Sequence, residues 1–286
     1  MKTVGYIHLF LAIIILTGCT APKLNVYIPK NSHVYSSELV SQNVNSNENS
    51  HKIEKTSPPK RPLSKVALII GNSSYKIAPL ANPINDAVDI NNALEGLGFK
   101  TIKLIDADKK EIIEAINHFG EELQTSDIGL FYFAGHGLQV KGDNYLIPIN
   151  SNINSESDIE FEGVNVSRLL GKMDKQENKI NIVMLDACRN NPFARSFRSM
   201  SRGLSRVDAP TGTFVVFSTA PGEVAQDGDG KNGVFTKHLL RHIKTPNLPI
   251  EEVMKKVRVS VMQETDKKQV PWQSSSLTGS FYFLEK

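Results

Sequence analysis

Ile182-Val183-Met184-Leu185-Asp186-Ala187-Cys188-Arg189-Asn190-Asn191-Pro192 is the stretch on which the reading of this chain turns. Apolar residues of buried-strand type run into a carboxylate, a small residue, a thiol and a polar loop closed by proline. A thiol at the C-terminal end of a core strand stands where open α/β sheets bind their ligands. About fifty residues upstream a similar strand, Ile128-Gly129-Leu130-Phe131-Tyr132-Phe133-Ala134, is expected to break into Gly135-His136-Gly137. The two run-outs read as a nucleophile and its base.

Around this pair the chain alternates. Lys65 to Gly71 predicts a buried strand, and Asn72-Ser73-Ser74-Tyr75 opens the loop at its end. Pro83 to Leu97 predicts a helix with Ala87, Ile90, Leu94 and Leu97 on one face and Gly98 as its stop. A strand over Phe99 to Ile105 follows, then a helix over Asp108 to Leu123 with Ile112, Ile116, Phe119 and Leu123 in its stripe and the acids Asp108 and Glu111 near its start. Strand, helix, strand, helix, strand predicts an α/β fold with a mostly parallel sheet and right-handed crossovers.

Downstream of His136, residues 138 to 147 predict a hairpin turning at Lys141-Gly142-Asp143-Asn144, and residues 150 to 163 a polar loop. A short helix is expected over 164 to 173, the Cys188 strand next, and a strand over Thr213 to Ser218. Helices are expected over 233 to 243 and 249 to 265, and a last strand over 279 to 284. The intervening 193 to 212 is a long basic segment.

The ends differ from this core. Lys2 and the apolar run Ile7 to Leu16 have the form of a signal-peptide core, too short for a comfortable membrane span. The run closes as Leu16-Thr17-Gly18-Cys19, which resembles a bacterial lipobox. That resemblance implies cleavage before Cys19, acylation of its thiol and new amino group, and a mature lipoprotein held on a bilayer outside the cytoplasm, in the periplasm or at the cell surface. A plain signal peptide, or an uncleaved anchor, with a chance cysteine is the alternative. Residues 20 to 62 are rich in Asn, Ser, Lys and Pro and bury too little to offset chain entropy, which predicts a disordered tether. The expected organisation is therefore signal peptide 1–18, tether 19–62 and one folded domain 63–286. A net charge of +3 gives no argument for nucleic acid, and the two cysteines, Cys19 and Cys188, stand in contexts too different for a mutual disulfide.

A cysteine is mostly protonated near neutral pH and needs a base or a positive field, which a histidine supplies. Phe133-Ala134-Gly135-His136-Gly137 and Leu185-Asp186-Ala187-Cys188-Arg189 resemble the His and Cys motifs of the caspase superfamily, most closely its metacaspase, paracaspase and bacterial branches. Ala67 to Asn72 followed by Tyr75, Asn85-Asp86-Ala87, Phe217-Ser218-Thr219-Ala220 and Gly233-Val234-Phe235-Thr236 extend the resemblance over about residues 65 to 284. It implies a caspase-like three-layer sandwich with a central sheet of about six strands and helices on both faces. It also implies a cysteine endopeptidase with His136 as base, Cys188 as nucleophile and the Gly137 and Cys188 amides as oxyanion donors. No metal or organic cofactor is required by that chemistry.

Departures from the animal caspase pattern bear on specificity. Where those enzymes carry Gln two residues before the cysteine this chain has Asp186, and where they carry an early arginine it offers Asp86. Two carboxylates suit an Arg or Lys side chain, so cleavage after a basic residue is expected. The bland readings are a helix-start acid for Asp86 and a strand-end cap for Asp186. Glu223 and Asp227 are candidates for a third acid, and the peptide is expected as an added strand near Ser218 to Ala220. Residues 193 to 200 hold no acid, which argues against the calcium dependence of some metacaspases. Arg195, Arg198, Arg202 and Arg206 are candidate self-cleavage points or simply a solvated basic loop. The expected partners are a peptide or protein substrate and, through the acyl chains, a lipid bilayer; the chain is expected to be a monomer. The competing function is a pseudoprotease, a surface-anchored binding module that keeps the fold without turnover. A thiol oxidoreductase lacks the second cysteine it would need.

Overall fold

The apolar runs of the sequence become the strands of one sheet, and the amphipathic runs become the helices that cover it. A computed structural model describes residues 61–175, 180–188, 204–205, 207, 209–220, 223, 225 and 230–286. In chain order the elements are β1 (Lys65–Gly71), α1 (Pro83–Gly96), β2 (Lys100–Ile105), α2 (Lys109–Leu123), β3 (Ile128–Val140) and β4 (Asp143–Leu146). They continue as α3 (Glu156–Glu162), β5 (Val164–Asn165), α4 (Val166–Asp174), β6 (Ile180–Cys188), β7 (Thr213–Phe217), α5 (Val234–His242), α6 (Ile250–Glu264) and β8 (Trp272–Ser275).

The sheet runs β2-β1-β3-β6-β7-β8, and β4 and β5 extend it off β3 to make eight strands. The first five on this path are parallel and β8 is antiparallel to β7. Because β1 and β3 are buried on both faces they are apolar almost throughout, which is why they read as continuous runs rather than alternations. On one face α1, α5 and α6 set Ile90, Leu94, Leu239, Val253 and Val257 against Ile69, Tyr132, Met184 and Val216. On the other, α2 and α4 set Ile112, Ile116, Phe119 and Leu169 against Leu68, Ile70, Phe131, Phe133 and Leu185. Each such aliphatic or aromatic side chain contributes about 1.5–3 kcal/mol on leaving water, so the two cores hold the three layers together.

Local chemistry sets the ends. Pro83 starts α1 with its fixed backbone angle, and Gly98, at φ +82°, turns the chain after it. At α2, Asp108 accepts from Glu111 N at 2.9 Å while Glu111 accepts from Asp108 N at 2.8 Å, a reciprocal cap. Arg61 grips Asp127 with two bonds of 2.7 and 2.8 Å, and these, with bonds from Ser64, pull the Asp127 carboxyl down to about 2. That clamp ties the chain before β1 to the residue before β3.

Several elements differ from the sequence expectation. The strand holding His136 does not break at Gly135-His136-Gly137; β3 runs through it and pairs with β6 on one side and β4 further on. The hairpin turns on Lys141-Gly142 alone, at φ 50° and 92°, with Asp143 and Asn144 already in β4, the geometry of a two-residue type I′ turn. The expected polar loop contains α3, started by Ser155 with Asp158 and burying only Ile159, too small an apolar face to show in the pattern. The last strand lies at β8, not at 279 to 284. Phe281 and Phe283 are buried and alternate like a strand, but the segment's bridge, Pro249 to Tyr282, and its backbone bonds from Ile250 N to Phe281 O at 2.9 Å and Asn247 N to Leu284 O at 2.8 Å tie it to the start of α6 and not to the sheet. Among the described residues no helix is long and apolar enough to cross a membrane.

The strand order places a switch at β1 and β3. The chain leaves β1 for β2 on one side and returns across it to β3 on the other. In such sheets the crevice beyond the carboxyl ends of the switch strands is the natural binding position.

Candidate active site

At that crevice β3 and β6 bring His136 and Cys188 together as register partners on adjacent parallel strands. Neighbouring strands lie about 4.8 Å apart, so the two backbones are a single rung from each other. Their positions on two parallel strands, far apart in sequence, follow from the βαβ architecture and from no local motif.

His136 is 2% exposed. Its backbone N–H donates to the Tyr75 hydroxyl at 3.0 Å, and that hydroxyl in turn donates to the Ile147 carbonyl at 3.0 Å. The Tyr75 ring lies over the imidazole with centroids 4.4 Å apart. Nε2 stands 2.7 Å from the carbonyl oxygen of Ala78. A carbonyl only accepts, so Nε2 carries the proton and, in the neutral ring, Nδ1 is the basic nitrogen. Ala78 itself sits at φ 53°, a backbone region that a β-carbon disfavours, within a loop that also ties back to Asp106.

The flanking glycines serve different ends. A β-carbon on Gly135 would lie 2.6 Å from the Tyr75 hydroxyl, and one on Gly137 2.9 Å from the Ala187 β-carbon and 3.0 Å from Leu204. Close approach requires glycine at both, and at Gly135 the backbone, at φ +157°, requires it as well. Ile147 N donates to His136 O, which makes Gly137–Leu146 a pair without mutual hydrogen bonds. Amides along a strand alternate sides, so the Gly137 N–H faces away from β4 and toward the edge where β6 ends at Cys188.

Asp86 and Asp186 come together from α1 and β6. Gly233, at the start of α5, donates its N–H to Asp86 Oδ1 at 3.0 Å, and a β-carbon there would stand 3.2 Å from Asp86 Oδ2 and 3.7 Å from Asp186 Oδ2. Thr236 donates its hydroxyl to Asp186 Oδ2 at 2.7 Å, and the buried Tyr132 hydroxyl lies 2.6 Å from Thr236 Oγ1. Burial, with the neighbouring Asp186 charge next, pushes the Asp86 carboxyl up to about 8, against the bonds from Asn232 and Gly233. Burial and the same two acids push the Tyr132 phenol well above its ordinary range. Two neighbouring carboxyls, one of them buried and raised by the other's charge, form an acidic pair between α1, β6 and α5.

A further acid, Asp89, stands one helical turn along α1. It pairs with Lys231 at 2.8 Å and accepts from Asn232 at 3.0 Å. Burial opposes, but the bonds from Lys231 and Asn232 prevail and hold its carboxyl below the usual range.

The other expected residues fare differently. Ser218 is 1% exposed, its N–H bonds to Leu185 O at 3.0 Å, and its carbonyl accepts from Gln269 Nε2 at 2.8 Å. The ladder of β7 with β8 ends at the pair Phe217–Trp272, so Ser218 to Ala220, the segment expected to receive a peptide strand, lie just beyond it. Glu223 is exposed, and no described contact brings it to the acid pair. Cys19, Asp227, Arg195, Arg198, Arg202 and Arg206 lie outside the described residues. Among the described residues no three acids, histidines or cysteines gather as a metal ion would need. The sequence reading missed the Ala78 carbonyl, which any residue could supply, and the Tyr75 hydroxyl, Thr236 and Asp89. The spacing Asp86 to Asp89 on one helix was the one available signal.

Comparison with known proteins bears on this arrangement. The human mucosa-associated lymphoid tissue lymphoma translocation protein 1 is 29% identical over 195 residues, 66% of this chain and 23% of that protein. Its mouse homologue is 30% identical over 179 residues, 61% of this chain and 21% of its own. The chain thus spans less than a quarter of the length of these relatives. The crystal structure of the Drosophila initiator caspase Dronc matches with a TM-score of 0.57 over 77% of this chain and 82% of that one, at 13% identity, a likeness of fold. The caspase-domain model matches residues 64–282, most of the chain, and the protein belongs to the caspase-domain family.

Proposed function

We propose that the protein is a cysteine endopeptidase that cuts after arginine or lysine and is held on a bilayer through acylated Cys19. The observation that carries the peptidase reading is the rung shared by His136 and Cys188 at the end of the β3–β6 ladder. The acid pair beside it carries the specificity.

In this mechanism His136 Nδ1 takes the thiol proton of Cys188, and the thiolate attacks the carbonyl carbon after the basic residue. The Ala78 carbonyl holds Nε2–H, so the imidazole keeps its tautomer and orientation as it becomes a cation. The Gly137 and Cys188 amides receive the oxyanion. His136 returns the proton to the departing amine, and water, activated by the same imidazole, then releases the acid and restores the thiol. The guanidinium or ammonium of the substrate lies between Asp86 and Asp186, whose shared proton leaves as the cation arrives. The chemistry needs no metal or organic cofactor.

The test is hydrolysis of peptides that differ only in the residue before the scissile bond (Arg, Lys, Asp or Ala) by the full chain and by Cys188→Ala. Turnover of the Arg and Lys peptides alone, absent in the variant, supports the reading. Turnover of the Asp peptide removes the acid-pocket assignment, and silence on all four favours the binding-module alternative. Clipping within 193–212 should likewise vanish in purified Cys188→Ala. Release of Cys19→Ser from the membrane fraction tests the anchor.

A further inference from the structure

We propose that the cavity beside His136 is the subsite for an apolar side chain on the residue that follows the cut. The inference rests on the peptidase reading and adds to it a preference on the leaving-group side. The cavity measures about 150 Å³; beside His136 it is lined by Ile77 from the loop after β1 and by Ile147, Pro148, Ile149 and Ile153 from the segment after β4, with polar side chains, Lys76 and Asn152 among them, lining the rest. A mostly apolar space of that size matches a benzene-sized group in volume.

Its position decides what fills it. His136 must pass a proton to the departing amine, so the peptide on that side has to leave across the imidazole, and this is the cavity the imidazole borders. The acid pair lies elsewhere, against α1 and α5, so the two sides of the scissile bond meet unlike chemistry. Ile77 is 53% exposed at the rim, an apolar side chain that a bound peptide would cover.

The walls are braced in advance of any ligand. Asn72 donates through Nδ2 to Ala107 O at 3.1 Å and to Ile147 O at 3.4 Å, and accepts from Ala107 N at 2.9 Å. The Tyr75 hydroxyl bonds Ile147 O, and Ile149 N bonds Ala107 O at 3.3 Å. Loop and segment are thereby fixed to each other and to the end of β2, as a preformed site requires.

Internally quenched peptides carrying Arg before the cut and Leu, Phe, Gly or Asp after it provide the test. The natural enzyme should cleave the Leu and Phe peptides with kcat/KM about tenfold or more above the Gly and Asp peptides. Ile77→Asp places a charge at the rim and Asn152→Trp fills the mouth; each should shrink the Leu-to-Asp ratio to about threefold or less. The ratio is read within one preparation, so a lower yield of folded variant does not disturb it. An Arg methyl ester of the same acyl sequence is run alongside, since methanol is too small to use the cavity. A flat panel from enzyme that hydrolyses the ester overturns the subsite, and so does a ratio unmoved in both variants. Silence on ester and panel together brings down the peptidase reading, and the subsite with it.

Discussion

Asp106 and Asp86 are two carboxylates at the same edge of the sheet, and they are treated in opposite ways. Asp106, just past β2, accepts from the backbone N–H of Ser73 at 2.7 Å and of Ser74 at 2.9 Å and from the Ser74 hydroxyl. Burial works against its charge, but those three bonds prevail and hold the carboxyl below its usual range. Its charge is fully engaged in fixing the loop that carries Tyr75 and Ala78 to His136. Asp86 has one backbone donor, a side-chain donor and a second acid for company, and its carboxyl is driven upward. The first region is satisfied from within; the second, on the function proposed above, is completed by the substrate's cation. On that proposal, structure and specificity are distinguished by who satisfies the charge.

The comparison breaks most visibly if the acid pair is made neutral. Asp186→Asn keeps an oxygen for Thr236 but removes a charge from the pair, and kcat/KM for Arg peptides should fall about a hundredfold or more, the 2–5 kcal/mol typical of a lost buried charge partner. An Arg preference that survives in both Asp186→Asn and Asp86→Asn would mean the pair is not the receptor. Next in size is Tyr75→Phe, which leaves the His136 N–H without its acceptor at a cost of about 1–3 kcal/mol. That should appear as a kcat loss of about tenfold with KM little changed and a displaced pH profile, because the imidazole and not the substrate is disturbed.

The third measurement is of stability against pH. Asp86 has its folded value raised to about 8, so its contribution is full below the unfolded carboxylate range and is lost as pH rises through 8. Unfolding free energy should decline over that window by no more than about 1.4 kcal/mol per pH unit, and Asp86→Asn should flatten the decline. The same proton makes Arg-peptide KM fall as pH rises toward 8. Smallest is Asp106→Asn, expected to cost about 1 kcal/mol, read as a modest drop in Tm, with Arg over Lys selectivity untouched. A change in that selectivity would show that the loop and the acid pair are coupled.

The fold was legible wherever burial imposed a period. β1, α1, α2, β6 and α6 are long, apolar on a defined face and bounded by Pro, Gly or a cap, and the residues predict them within a position or two. β8 was not legible because Trp272-Gln273-Ser274-Ser275 is an edge strand with little to bury, and α3 because Ile159 alone turns inward. Phe281 and Phe283 misled by alternating without a ladder. In the site, side chains of distinctive chemistry announced themselves: His136, Cys188 and the two acids at strand or helix ends. Tyr75, Thr236, Gly233 and the Ala78 carbonyl act only through where the fold puts them, and a carbonyl leaves no mark in a sequence at all.

β3 has a consequence of a mechanical kind. Its thirteen residues form one uninterrupted strand, about 43 Å long at the usual rise, of which the first part is core sheet and the last part is the arm of the β4 hairpin. His136 is the last residue of the one and the neighbour of the first residue of the other, so it lies at the fulcrum. A load applied at the Lys141-Gly142 tip therefore acts along the same strand that carries the imidazole.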